Sequence, residues 1–141
     1  MTAEFDFDHF SRTLVREAPD AMIFADGEGI IRFWNAGAER IFGFSEAEAV
    51  GRSLDIIIPE DLRERHWVGF RQTIHSGKTR YGAGNTLAVQ ARRKDHRPIS
   101  IEFSIVPFRG ADSAILGIAA IIRDVRERVG VTGAHSDWMN L

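Results

Sequence analysis

The sequence predicts an α+β domain in which one antiparallel sheet carries helices on one of its faces. Apolar runs of strand length lie near both ends of the chain, within residues 21–34 and 86–123. Helical periodicity occupies the stretch between them, residues 35–75. Strands that are segregated from helices along a chain favour a single antiparallel sheet.

An amphipathic helix is expected ahead of this sheet, over residues 3–17. Phe7, Phe10 and Leu14 recur there at helical spacing among charged residues, and Pro19 ends the segment. Exposed apolar stripes of this kind tend to be buried by a partner, so we expect the helix to form a homodimer.

A β-hairpin is expected next. Two short apolar runs, residues 21–25 and 30–34, flank the sequence DGEG at 26–29. This four-residue segment has the composition of a tight turn, and the two runs have the length of strands.

Short helices follow the hairpin. Asn35 is placed to cap a helix that Gly43 ends. Ser45 and Glu48 have the spacing of a capping box for another short helix, which is expected to end at Gly51.

A longer helix is expected over residues 60–75, after an apolar turn at 54–58 and Pro59, and Gly77 stops it. Four of its residues lie at intervals of four, which places them on one helix face. They are Leu62, His66, Phe70 and Ile74, and we expect them to contact a ligand in the core.

The last third of the chain predicts strands at residues 86–93, 99–105 and 115–123. Residues 99–105 alternate cleanly between apolar and polar side chains, so one face of that strand is buried. Helices over that face enclose a cavity. Its expected sheet-side lining is Ile101, Phe103 and Ile118.

Composition excludes several classes of protein. The net charge is −2, which gives no general field for nucleic acids. The chain has no cysteine, which excludes disulfides, thiolate metal sites and cysteinyl–flavin photochemistry. No apolar run approaches the roughly 18 residues of a membrane span. The first ten residues carry no early positive charge, so we expect a cytoplasmic protein.

Catalytic motifs are not found, and we expect no enzyme. The chain has no Gly-x-Ser-x-Gly elbow, no acidic calcium loop and no phosphate-binding glycine loop. The histidines other than His66 show no metal-ligand spacing. The basic run at residues 92–94 is interpreted as a hairpin turn with solvated charges.

The chain resembles a PAS domain over residues 12–128. The matching motifs are APDA at 18–21, DGEGII at 26–31, WNAGAERIFGF at 34–44, EAVGR at 48–52, RRKD at 92–95 and RDVRER at 123–128. This resemblance implies a five-stranded antiparallel sheet with helices on one face. It also implies a sensory domain that relays the state of a ligand to a signalling partner.

One segment is similar to the haem-binding PAS domains of FixL-type oxygen sensors. The sequence PEDLRERH at residues 59–66 places His66 where that family has the axial ligand of the haem iron. Without the resemblance, His66 is open to two interpretations. It is either a ligand that faces a cavity or a hydrogen-bonded histidine of the core.

Two positions depart from the haem pattern. Asn85 stands where that family has an arginine over the bound gas, and Gln72 stands where it has an arginine for a haem propionate. Both changes remove cationic partners of anionic groups. Arg80 is the nearest cation that remains to replace them.

Two tryptophans and Asn35 have alternative interpretations. Trp67 either donates its indole N–H to a ligand or partner, or packs at a helix edge. Trp34 is interpreted as core or sheet-face packing, and Asn35 as a helix cap.

The predicted organisation is an N-terminal helix at 1–17, a PAS domain at 18–128 and a flexible tail at 129–141. The predicted function is a sensor that binds a small ligand, with haem as the candidate cofactor. The alternative is a ligand-free interaction module. We expect the signal to leave through the last strand, where Asp124 caps the exit segment and pairs with Arg123 or Arg126.

Overall fold

The computed structural model describes residues 4–78 and 87–125, and within them helices cover one face of a five-stranded sheet. The α-helices span Phe7–Glu17 (α1), Ala36–Phe42 (α2), Glu46–Ala49 (α3) and Arg63–Ser76 (α4). Short 3-10 helices span Leu54–Ile57 and Glu60–Leu62. The strands span Ala21–Asp26 (β1), Ile31–Trp34 (β2), Leu87–Arg92 (β3), Pro98–Arg109 (β4) and Ile115–Asp124 (β5).

The strands pair antiparallel in the order β2-β1-β5-β4-β3. The last described strand, β5, therefore lies at the centre of the sheet. Alternation places Ile101, Phe103 and Ile105 of β4 in the core. The α+β class and the single antiparallel sheet are confirmed.

The predicted caps are present at the two short helices. Asn35 Oδ1 accepts from the backbone N–H of Ala38 at 3.0 Å at the start of α2, and Gly43 ends that helix. In the capping box, Glu48 N–H donates to Ser45 Oγ at 3.1 Å and Ser45 N–H donates to Glu48 Oε1 at 2.9 Å. Helix α3 ends at Ala49 with Val50 as its C-cap, and Gly51, the predicted stop, follows with a left-handed backbone (φ +93°).

Two helix boundaries differ from the sequence prediction. The continuous helix expected over 60–75 is broken, since the N–H of Leu62 donates to the carbonyl of Pro59 and closes a 3-10 turn before α4 begins at Arg63. The first helix begins at Phe7 and not at residue 3, because Asp6 caps it by accepting from the N–H of His9 at 3.1 Å.

The strand boundaries shift by a few residues. Strand β4 continues to Arg109, past the predicted end at 105, because its pairing with β5 continues through residues that do not alternate. Strand β3 ends at Arg92, and Thr86, where it was predicted to start, lies outside the described residues.

The end of the described chain is held to the sheet. Asp124 is the last residue of β5, and the N–H of Val125 donates to the carbonyl of Ser100 at 3.0 Å. Arg123 forms an ion pair with Asp20 at 3.5 Å. Arg126, the remaining exit linker and the predicted tail lie outside the described residues.

A search of the described helices finds none that combines the length and the apolar character needed to cross a membrane.

Candidate functional site

His66 lies on the side of α4 that faces the core. Its side chain is 3% exposed, and Leu62 and Phe70, one turn to either side, are also buried. The predicted face drifts at its far end, where Thr73 is buried and Ile74 is only half-buried. The drift arises because a helix turns once every 3.6 residues. Residues spaced four apart therefore rotate progressively away from one face.

A cavity of about 50 Å³ lies between α4 and the inner face of the sheet. Several of the residues predicted to face a ligand line it: His66, Phe70, Ile101, Phe103 and Ile118. Leu62 packs in the core and Ile74 packs against it, and neither lines the cavity. Asn85 lies outside the described residues.

Sequence reasoning missed the rest of the lining. It comprises Ile23 and Ala25 of β1, Leu54, Ile57 and Ile58 at the first 3-10 helix, and Ile105, Ala120 and Ile122 of the sheet. The sequence of β1 carries no alternation that could have identified its two residues, because positions 21–25 are all apolar; only the structure shows that 21, 23 and 25 are the buried ones. The 3-10 segment carries no such signal either, because its apolar run has no period.

Ala120 explains why space remains in this core. In the register of the sheet it pairs with Ile23 of β1 on one side and with Ile105 of β4 on the other. A small side chain between two large ones leaves a gap on the inner face, and the cavity lies over that gap.

The electrostatics of the site are set by burial. Burial lowers the pKa of the His66 imidazole to about 3, because an apolar surrounding disfavours its charged form. All other described residues of the lining are Ile, Leu, Ala or Phe. The imidazole is therefore neutral at pH 7, the form in which histidine binds metals.

The donor chemistry of this site fits a haem iron, which proteins commonly hold through one histidine. The enclosed volume fits only a few atoms, since about 50 Å³ is far below the roughly 300 Å³ at which small-molecule sites begin. A haem therefore enters this core only if α4 and the sheet move apart.

The tryptophans have partners within the chain. Trp67 Nε1–H donates to Asp55 Oδ1 at 2.8 Å, so its hydrogen bond is to a neighbouring segment of the protein. Trp34 is fully buried, and its Nε1–H donates to the carbonyl of Phe44 at 2.9 Å. Core packing is therefore the correct interpretation of Trp34.

The basic run is more than a solvated turn. Arg93 is largely buried and donates to the carbonyl of Ile41 at 2.5 Å, at the end of α2. Lys94 forms an ion pair with Glu48 of α3. The β3–β4 turn is thus fastened to the helical layer, which the interpretation as purely solvated charge did not include.

The sheet order and the helical layer agree with a family model that matches the chain. The model described as the PAS fold matches residues 10–125. The chain belongs to the PAS fold family.

Two curated sensors are similar to this PAS domain. The sensor protein FixL of Bradyrhizobium diazoefficiens is 49% identical over 55 residues, which is 39% of this chain and 11% of that protein. The oxygen sensor protein DosP of Escherichia coli is 32% identical over 75 residues, 53% of this chain and 9% of that protein. The matched stretches thus span about a tenth of each relative's length.

A solved structure shows the same fold. The PAS domain of a protein from Colwellia psychrerythraea superposes with a TM-score of 0.75 at 23% identity, and the match covers 87% of this chain and 100% of that one. This likeness concerns the architecture of the domain.

The positions that depart from the haem pattern are only partly described in this PAS domain. Gln72 is exposed on α4. Arg80 and Asn85 lie outside the described residues. The described cavity lining therefore contains no cation for a haem propionate.

Proposed function

We propose that this PAS domain is a sensor that binds a ligand in its core cavity, with haem held through His66 as the best-supported ligand. The observation that carries the proposal is a neutral, buried imidazole beside an otherwise apolar cavity. PAS domains are sensory modules, and the chain is accordingly proposed to act by binding and not by catalysis.

Two further observations support haem over an organic ligand. The segment PEDLRERH at 59–66 resembles the haem-binding helix of FixL-type sensors. The relatives of the chain include a protein named FixL and one named as an oxygen sensor. A polar organic ligand gains little from the lining, which offers one polar side chain and no further hydrogen-bonding group among the described residues.

Each part of the site has a distinct role in this proposal. A bound haem supplies an iron atom that takes small gaseous ligands. The neutral imidazole of His66 holds the metal, and the apolar side chains of the sheet exclude water. Because the cavity is small, His66 and the sheet would hold the group only with α4 displaced, and a signalling partner would detect that displacement.

Strand β5 is the proposed route of the signal. It contributes Ile118 and Ile122 to the cavity and leads directly to Val125, the last described residue. A change at the cavity thus reaches the exit of the domain through one continuous strand.

An absorption spectrum tests the ligand. Protein purified from haem-supplemented cells should show a sharp Soret band, which His66→Ala should weaken or shift. His75→Ala is the matched control, because His75 lies on the same helix and is exposed. A band that His66→Ala leaves unchanged removes His66 from this role, and no band in the wild type removes haem.

The second candidate is a dimerisation module that needs no ligand. Phe7, Phe10 and Leu14 of α1 are 65%, 45% and 52% exposed, and no residue of α1 is buried. This stripe favours burial against a second copy of the chain. The two candidates are compatible, since the stripe and the cavity lie on different elements.

A further inference from the structure

Trp67 is held from two sides by segments that precede α4 in the chain. On one side its Nε1–H donates to Asp55 Oδ1 at 2.8 Å, and Asp55 belongs to the 3-10 helix Leu54–Ile57 beside the cavity. On the other side it lies against Gly29, where an added Cβ would fall 2.1 Å from Cη2 of the indole. The indole thus fills a narrow slot with one polar anchor.

This indole packs against His66. The two ring centroids are 4.6 Å apart and the ring planes meet at 70°. Phe70 completes the cluster, with centroids 5.2 Å from Trp67 and 5.8 Å from His66. Contact with two large rings leaves the imidazole little freedom to rotate, so the place of the indole determines the direction of the imidazole nitrogens.

We propose that Asp55 and Trp67 are positioning residues for His66: the hydrogen bond fixes the indole, and the indole fixes the imidazole toward the cavity. The inference rests on the proposed function in one respect, because it takes a metal to be the ligand of His66. Loss of a group that hydrogen-bonds a ligating histidine costs about 10–100-fold in metal affinity. Asp55 and Trp67 act on His66 through packing, so a smaller effect is expected from them.

The rest of α4 has attachments of its own, so loss of this bond has a local effect. At the start of the helix, Arg63 Nε donates to the carbonyl of Ile58 at 3.1 Å. At its end, Arg109 donates to the carbonyl of Gly77 at 2.7 Å. Variants at Asp55 are therefore expected to fold.

The first test uses ligand-free protein. Asp55→Ala removes the acceptor, whereas Asp55→Asn keeps an oxygen in its place. By NMR, Asp55→Ala should move the Trp67 indole N–H signal and also the His66 ring C–H signals, because those protons lie within the ring current of the indole. Asp55→Asn should restore both. A Trp67 shift without a His66 shift overturns the inference, as does an equal His66 shift in both variants.

The second test uses haem-loaded protein. Asp55→Ala should weaken haem affinity by up to about tenfold, the lower end of the range for direct partners of a ligating histidine, and alter the Soret band, while Asp55→Asn stays close to wild type. If the wild type binds haem and Asp55→Ala binds it equally with the same spectrum, the positioning role fails and the proposed function stands. If the wild type binds no haem, the proposed function fails, and the ligand-free NMR comparison still decides the positioning.

A pair of glycines gives a steric test from the opposite side. Gly29 and Gly51 both have left-handed backbones, with φ of +80° and +93°, so alanine strains both alike. A Cβ added at Gly29 would collide with the indole of Trp67, whereas a Cβ added at Gly51 would meet nothing within 4 Å. Gly29→Ala should move the His66 ring signals and Gly51→Ala should not. Equal movement in both overturns the inference.

Discussion

The side-chain amide of Asn35 donates to the backbone carbonyl of Val15 at 2.8 Å and so fastens α1 to the sheet. The same amide donates to the carbonyl of Asp20 at 3.1 Å, and its oxygen accepts from the N–H groups of Met22 and Ala38. Asn35 is buried, so these bonds are shielded from water. One residue therefore joins α1, β1 and α2.

Asn35→Asp is predicted to release α1. The carboxylate still accepts from Met22 and Ala38 but has no N–H for Val15 and Asp20. The free energy of unfolding should fall by about 1–3 kcal/mol, and hydrogen exchange should accelerate in residues 10–17. Ser45→Ala is the control, because it removes the cap of α3, costs about 1 kcal/mol and leaves α1 untouched. Unchanged exchange in α1 would contradict the role of Asn35.

His66 is predicted to make stability depend on pH below neutrality. Its pKa is about 3 in the folded protein against 6.5 ordinarily, so the unfolded chain binds a proton that the folded chain does not. Stability is therefore full above pH 6.5 and falls as the pH drops, approaching about 1.4 kcal/mol per pH unit. Urea titrations from pH 7 to 5 should show this slope, and His66→Gln should flatten it.

The chosen window separates His66 from the carboxylates whose pKa values are also lowered. Hydrogen bonds and charges of Lys94 and Arg97 lower the pKa values of Glu48 and Asp95, whose ordinary values are 4.5 and 3.8. A carboxylate whose pKa is lowered by folding stabilises the fold at pH values above its ordinary pKa. It loses that contribution only as the pH falls below that ordinary pKa. Identical slopes in wild type and His66→Gln between pH 7 and 5 would refute the assignment to His66.

Ala120→Val is predicted to close the cavity. The added methyl groups project into the gap between Ile23 and Ile105, so haem uptake should be lost. The free energy of unfolding should change by no more than about 1–2 kcal/mol, because filling the cavity stabilises the fold and strain around the larger side chain destabilises it. Ala119→Val is the control, because Ala119 borders the outer groove of the sheet beside Phe24 and Phe108. Haem titration followed by absorbance distinguishes the two, and equal uptake would show that this cavity is not the site.

The apolar stripe of α1 is predicted to hold a homodimer together. Phe10→Ser should shift the chain toward a monomer in light scattering at high micromolar concentration. Arg12→Ser is the control, since Arg12 is exposed on the same helix and off the stripe. A wild-type chain that is already monomeric would end this proposal.

Elements whose signals are local in the sequence were predictable. The caps of α2 and α3 involve residues three positions apart, so their spacing alone identifies them. The inner face of β4 follows from strict alternation over 99–105. The 3-10 turn before α4 was not predictable, because its apolar and charged residues fit a regular helix equally well.

The sequence by itself determined the separation of strands from helices and the helix face that carries His66, because periodicity and caps act between near neighbours in the chain; its motifs added the resemblance to PAS domains. Only the tertiary structure decided the size of the cavity, the bonds of Asn35 to Met22, Asp20 and Val15, and the slot that holds Trp67. Those features join residues that lie 12 to 20 or more positions apart, such as Asp55 with Trp67 and Val15 with Asn35. Contacts of that kind follow from how the layers pack, and no periodic pattern along the chain encodes them.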